Sequence, residues 1–78
     1  MDIDEYLWRN KISQKKFSKK AGIAAHTLSI LVHRHVSPKL VTAIKIIEAS
    51  DNIITIEDLL RNSDREELKE YRENQKNL

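Results

Sequence analysis

The chain is 78 residues long, contains no cysteine and carries a formal net charge of +2. A chain of this length forms one small domain, and without cysteine it has no disulfide, thiolate metal site or cysteine nucleophile. Its apolar runs are far too short to span a membrane, and no basic leader precedes an apolar stretch. We therefore expect a cytoplasmic protein without a membrane partner.

The charges are distributed unevenly along the sequence. Between Arg9 and Ile47 there are nine basic residues and no acidic one, whereas residues 51–78 carry eight acidic and five basic residues. An ordinary solvated surface mixes both signs, so a long stretch without carboxylates indicates a polyanionic partner. Nucleic acid is the favoured partner; a plain solvated face and an anionic membrane are the alternatives.

Three helices are predicted in the first part of the chain, over residues 3–9, 14–21 and 25–32. Asp2 and Glu5 have the spacing of a capping box that opens the first helix, and Asn10 is expected to end it in the left-handed conformation. Ser13 is the expected cap of the second helix. Gly22, the only glycine, is expected to end that helix because a sharp turn there needs a residue that tolerates positive φ.

A fourth helix is predicted around the only proline. Ser37 is its expected N-cap and Pro38 its first residue, where a missing N–H costs nothing. The helix is predicted to end near Ser50, before a turn at Asp51-Asn52. Its inward-facing apolar stripe is predicted to consist of Leu40, Val41, Ala43, Ile44 and Ile47.

The last part of the sequence is predicted to be less regular. Ile53-Ile54 is expected to form a short extended segment, and Thr55 with Asp58 a capping box that opens a fifth helix through Leu60. Residues 64–78 form a charged C-terminal extension, helical or disordered, because an isolated helix of this length is marginal in water. The predicted fold is all-α, with residues 1–63 as its domain.

The segment from Gln14 to His33 carries the most informative pattern. Two helices that cross steeply through a short turn need a small residue where their backbones meet, here Ser18, and a glycine in the turn, here Gly22. Apolar residues expected to hold the pair against the core are Phe17, Ala21, Ile23, Leu28 and Leu31. The spacing predicts a helix-turn-helix whose second helix has a free face for a major groove about 12 Å wide.

Together with its flanks, this segment resembles the Cro/CI-type phage repressors and the wider Cro-like helix-turn-helix family. The resemblance covers about Tyr6 to Leu60. The segments that carry it are Ile12-Ser13-Gln14, Ala21-Gly22-Ile23, Ser37-Pro38 and Ile56-Glu57-Asp58-Leu59-Leu60. It implies a compact four- to five-helix, lambda-repressor-like domain that regulates transcription by binding specific double-stranded DNA. The implied protein is a repressor of phage, plasmid or mobile-element type that binds as a homodimer.

The resemblance also implies roles for individual residues. The residues implied to contact bases are Ala25, His26, Thr27, Ile30 and His33. Those implied to contact phosphates are Gln14, Lys15, Lys19, Arg34 and Lys39. The sequence departs from the family at four places, the first being Ser18 in place of the usual alanine. Ala24 replaces the usual Ser or Thr cap, Ala25 replaces a glutamine that often reads adenine, and Lys11 replaces a turn glycine, so that Asn10 is expected to make the turn.

Other classes of function find less support in the residues. The three histidines lack metal-ligand spacing, and no acid pair or nucleophile–base set is present, so we expect no metal, no cofactor and no enzyme. Two alternatives stay open: an antitoxin-type or accessory regulator whose tail binds a partner protein, and a helical interaction module that has lost DNA binding. The candidate dimer surfaces are helix 5, Ile53-Ile54, and the tail through Leu68 and Tyr71, and Trp8 is expected in a core or an interface.

Overall fold

The computed structural model of the protein describes residues 1–76, which form six helices and no strand. The helices are α1 (Ile3–Asn10), α2 (Gln14–Ala21), α3 (Ala25–Val32), α4 (Leu40–Ala49), α5 (Ile56–Leu59) and α6 (Asn62–Lys76). The predicted all-helical class is confirmed, and the predicted second and third helices agree with α2 and α3. Within the described residues, no helix is both long enough and apolar enough to cross a membrane.

A single core joins the first five helices. Phe17 of α2, Leu28 of α3, Ile46 of α4 and Leu59 of α5 are fully buried in it. Tyr6 of α1 meets Phe17 edge to face, with ring centroids 5.4 Å apart, an arrangement that aromatic rings favour. Because α2 packs against both α3 and α4, these helices turn one side to the core and leave the other to solvent.

Local sequence determines the connection between α2 and α3. The Ser13 hydroxyl accepts a hydrogen bond from the Lys16 amide at 3.1 Å and so caps α2. At the other end Gly22 has φ +72°, and the Gly22 and Ile23 amides donate back into the last turn of α2. This is a Schellman-type ending, which satisfies carbonyls that would otherwise have no partner. The predicted burial of Ser18 at the crossing is confirmed.

The predicted capping box at the start of α1 is wrong. Asp2 occupies the N-cap position, but its side chain makes no capping hydrogen bond, and the Glu5 amide donates instead to the Asp4 carboxylate. The Asp2 carboxylate forms an ion pair with Arg34, thirty-two residues along the chain. The Asp2 carboxylate therefore binds Arg34 and does not cap α1, the role that the local pattern predicts for it.

The end of α1 also differs from the prediction. Lys11, with φ +53°, adopts the left-handed conformation that was expected of Asn10. Asn10 stays within α1, where its side-chain amide donates to the Tyr6 carbonyl at 2.8 Å. The backbone turn is thus placed one residue later, at the position where the Cro-like family often has glycine.

The predicted start of α4 is wrong by two residues. Lys39 is the N-cap and makes no side-chain capping bond, so that Ser37 and Pro38 precede the helix. The Ser37 hydroxyl accepts from the Arg61 amide at 3.1 Å and donates to Asp64 at 2.5 Å. Because this hydroxyl is engaged with the start of α6, it is not available to cap α4.

The predicted inward stripe of α4 is only partly correct. Ala43 and Ile46 are buried, whereas Leu40, Val41 and Ile44 are 72%, 63% and 45% exposed. Seven of the ten residues of α4 are apolar, more than one side of the helix can bury, so the spacing alone could not identify the buried side. The result is a large apolar surface on the outside of α4.

The C-terminal extension is helical over its described residues. Helix α6 begins at Asn62, so the predicted division between residues 63 and 64 falls within its first turn. Arg65 Nε donates to the Glu57 carbonyl at 2.9 Å, Arg72 pairs with the Glu57 carboxylate, and Leu68 is partly buried. Polar contacts therefore supply most of the attachment of α6. Residues 77–78 of the predicted extension lie outside the described part.

The turn before α5 agrees with the sequence prediction. Asp51 and Asn52 both have positive φ, and the Asp58 carboxylate accepts from the Thr55 amide at 2.9 Å in the predicted capping box. Ile54 of the segment between them is fully buried. Burial opposes ionisation of Asp58, but hydrogen bonds from the amino group of Met1 and from Thr55 outweigh it and lower the pKa of this carboxyl.

Candidate nucleic-acid interface

The outward face of α3 collects most of the residues predicted to contact bases. Ala25, His26, Ile30 and His33 are exposed there, and Thr27 is half-buried. Leu28 and Leu31 point the opposite way into the core, which fixes the orientation of the helix. The first turn of α3 has no side-chain cap because Ala24 stands at the N-cap position, as the sequence indicated. The face therefore offers two imidazoles and an apolar surface.

A groove runs along one edge of this face, between α3 and the start of α4. Its lining includes Thr27 and Ile30 from α3, and Val36, Pro38 and Lys39 from the connection that follows. The structure thereby brings together two predicted base contacts and one predicted phosphate contact. Because Lys39 is also the N-cap of α4, the uncapped amides of α4 lie at the same edge.

The cations of α2 form the second part of the surface. Gln14 is the first residue of α2 and is exposed, as are Lys15, Lys16, Lys19 and Lys20. Within residues 1–76, none of the seven lysines between Lys11 and Lys45 forms an ion pair. The positive charge of this half of the molecule is therefore not compensated by its own carboxylates and is directed to solvent.

Arg34 differs from the other predicted phosphate contacts. Its guanidinium pairs with Asp2, and its side chain is only 24% exposed. Burial lowers the pKa of Arg34, the nearby charge of Arg65 lowers it further, and Asp58 opposes both. The backbone at Arg34 is in the left-handed region, with φ +58°. Its guanidinium is thus engaged with the N-terminal segment, and a phosphate contact by this residue stays a prediction.

Trp8, expected in a core or an interface, is a surface residue. Its side chain is 78% exposed, so the core position is wrong, and a position in an interface stays a prediction. It lines a groove with Lys11, Ile12 and Gln14, where the end of α1 meets the start of α2. Helical spacing could have indicated this, because Trp8 lies one turn from the exposed Asp4 and away from the buried Ile3. An aromatic ring therefore stands beside the predicted phosphate contact at Gln14.

The histidines are arranged as a pair and a single residue. The rings of His33 and His35 stack, with centroids 6.3 Å apart and planes at 22°. In the part of the chain that the structure describes, no three His, Cys, Asp or Glu side chains converge on a metal position. His26 and His33 are exposed, and their ring nitrogens are candidates for hydrogen bonding.

Comparisons of the chain with protein-family models, with curated proteins and with solved structures found no match. The surface is accordingly interpreted from its own geometry, an exposed face of α3 beside the uncompensated lysines of α2.

Proposed function

We propose that the protein is a sequence-specific double-stranded DNA-binding transcriptional regulator, a repressor of phage, plasmid or mobile-element type. In this proposal α2 and α3 are the helix-turn-helix of a lambda-repressor-like domain, and α3 enters the major groove. One observation carries the proposal: α3 presents an exposed face immediately beside a helix whose lysines have no counter-charge among the described residues. Duplex DNA matches both features, since it offers a groove of helix width and a polyanionic backbone.

The exposed residues of α3 would make two kinds of contact with bases, polar and apolar. His26 and His33 supply ring nitrogens that donate to or accept from base edges, and Thr27 supplies a hydroxyl. Ala25 and Ile30 offer only apolar contact, for which the thymine methyl group is the matching feature of the major groove. The face therefore favours sites that contain thymine near the contacts of Ile30.

The phosphate contacts would surround this face. Gln14 at the start of α2, Lys15 and Lys19 along it, and Lys39 at the start of α4 supply donors and positive charge. Arg34, also predicted to contact a phosphate, would have to exchange its partner Asp2 for the DNA backbone. One such unit covers a short site, so the functional form is a homodimer on two half-sites about one helical turn apart.

A double substitution tests the proposal. Gln14→Ala with His26→Ala removes one proposed phosphate contact and one proposed base contact, both exposed, and should leave the fold intact. We expect affinity for a selected duplex to fall at least about tenfold, measured by fluorescence anisotropy, because each lost contact to a charged or base partner is worth roughly 1–3 kcal/mol. Gln75→Ala, an exposed glutamine on α6, is the matched control and should have no effect.

An unchanged affinity in the double variant would overturn this proposal. Failure of the wild-type protein to bind any duplex from a random pool would do the same, and would favour the alternative of a helical interaction module.

The exposed end of α6 favours a second candidate, an antitoxin-type or accessory regulator. Tyr71 is 59% exposed on a helix attached mainly by polar contacts, and the molecule is elongated, 43 Å against 21 and 20 Å. Such a helix can offer a docking surface to a partner protein. Co-expression with the product of an adjacent gene, and loss of the resulting complex on Tyr71→Ala, would support this candidate.

A further inference from the structure

Helix α4 is apolar on the side that faces solvent as well as on the side that faces the core. Leu40, Val41 and Ile44 lie on adjacent turns of its outer surface, and we call these three side chains the α4 face. They are 72%, 63% and 45% exposed. Adjoining exposed apolar side chains of this size mark an interaction surface. The α4 face therefore needs a partner that supplies its other half.

The charges at the rim of the α4 face indicate which partner this is. Lys45 and Glu48 are both exposed on the same helix, each one turn from a member of the face. Glu48 is the only acidic residue between Arg9 and Ser50. A polyanion would be repelled by Glu48 and would gain nothing from the apolar centre. A surface with an apolar centre and one charge of each sign is complementary to itself, which is what a two-fold interface requires.

We propose that a second copy of this chain docks on the α4 face. In the resulting dimer the apolar side chains of the two faces pack together, while Lys45 of each copy lies opposite Glu48 of the other. This inference rests on the proposed function. Helix α4 begins at the groove that is lined by Thr27 and Lys39, so a dimer formed through the α4 face would join two DNA-binding surfaces in one unit. Of the dimer surfaces predicted from sequence, Ile54 and Leu59 are fully buried, whereas Ile53 and Tyr71 are 47% and 59% exposed and stay predictions.

The first test compares two glutamate substitutions at exposed apolar positions. Val41→Glu places a charge on the α4 face. Tyr71→Glu, the control, places a charge at an exposed position of α6, outside that face. By sedimentation equilibrium we expect Val41→Glu to raise the dimer dissociation constant at least about tenfold, since each dimer loses two buried valines. Tyr71→Glu should change it less than about twofold. Thermal unfolding by circular dichroism checks that both variants are folded.

The second test exchanges the rim charges. Lys45→Glu alone and Glu48→Lys alone each place like charges opposite one another twice per dimer, and should weaken association roughly threefold to tenfold at low salt. The double exchange, Lys45→Glu with Glu48→Lys, should restore the wild-type constant to within about twofold. A wild-type chain that stays monomeric at millimolar concentration, or a double exchange no better than the singles, would overturn the proposed dimer.

Duplex binding separates this inference from the proposed function. A single half-site should bind Ile44→Ala, which trims the α4 face without adding a charge near Lys39, as well as it binds wild type, whereas two half-sites should lose their cooperativity in that variant. Equal cooperativity in both proteins would sink the α4 interface and leave DNA binding standing. Dimerisation through the α4 face without any duplex binding would support the α4 interface and contradict the proposed DNA binding.

Discussion

The α2–α3 unit and helix α6 are held in the molecule by different forces. Phe17 and Leu28 anchor α2 and α3 in the core with no exposed surface, whereas in α6 only Leu68 is partly buried among its apolar residues. The charged residues differ in the same way. Those of α6 carry both signs, and three of them contact the body, Asp64 at Ser37 and Arg65 and Arg72 at Glu57.

Charged side chains have different roles in α6 and in α2. In α6, charge provides attachment, because there is too little apolar surface to supply it. In α2, apolar contacts already fix the helix, and its exposed lysines make no ion pair with the described residues. Charges without an internal structural role are the ones free to bind an external polyanion, so this contrast underlies the proposed function.

Removing the anchor of α2 should have the largest effect. Phe17→Ala deletes a fully buried ring that Tyr6 contacts, and we expect the free energy of unfolding to fall by about 3–5 kcal/mol, a large share of the roughly 5–15 kcal/mol typical of a domain. Leu68→Ala in α6 should cost about 1 kcal/mol, because that side chain is only partly buried. Urea denaturation measures both, and equal losses would contradict the contrast between the two regions.

The turn between α2 and α3 should come next in magnitude. Gly22 has φ +72°, and a Cβ built there meets no heavy atom within 4 Å. Gly22→Ala therefore carries only a backbone cost, about 1–2 kcal/mol, and Gly22→Asn should cost less because asparagine visits the left-handed region more readily. Thermal unfolding of the pair measures the order. Alanine as stable as glycine would show that the turn does not require positive φ.

Acid should loosen α6 before it affects α2 and α3. The hydrogen bond from Ser37 lowers the pKa of Asp64, burial opposes this, and Arg61 lowers it further. A carboxyl with a lowered folded pKa stabilises the fold above its unfolded value near 3.8, and this contribution is lost as pH falls through the folded pKa. We expect faster amide exchange in α6 on acidification, and in Asp64→Asn at neutral pH, with α2 and α3 unchanged. Uniform acceleration across all helices would be inconsistent with separate attachment.

The parts of the fold that sequence predicted well are those determined by near neighbours. Ser13 and Gly22 each act on a backbone group within a few residues, so the ends of α2 could be predicted to the residue. The outward face of α3 followed from Leu28 and Leu31, whose spacing gives that helix one clear buried side.

The features that the sequence did not predict depend on residues far away in the chain, or on apolar spacing that does not identify the buried side of a helix. Asp2 caps nothing because Arg34 reaches it across the fold, and the same contact removes Arg34 from the free cations. Ser37 is drawn away from α4 by Asp64. Neither pairing has a local signature. In α4 apolar residues lie on the outer side as well as on the inner side, so only the tertiary structure distinguishes the core residues from the exposed α4 face.

The dependence of duplex affinity on salt tests the central claim most directly, because it counts phosphates contacted by uncompensated cations. The proposed set contains three cations that form no ion pair with the described residues, Lys15, Lys19 and Lys39, and log K should therefore fall against log salt with a slope of about −2.7 for a single half-site. Lys15→Gln with Lys19→Gln should reduce the magnitude of that slope by about 2. A slope near zero, or one unchanged in the double variant, would contradict the assignment of these lysines to the DNA backbone.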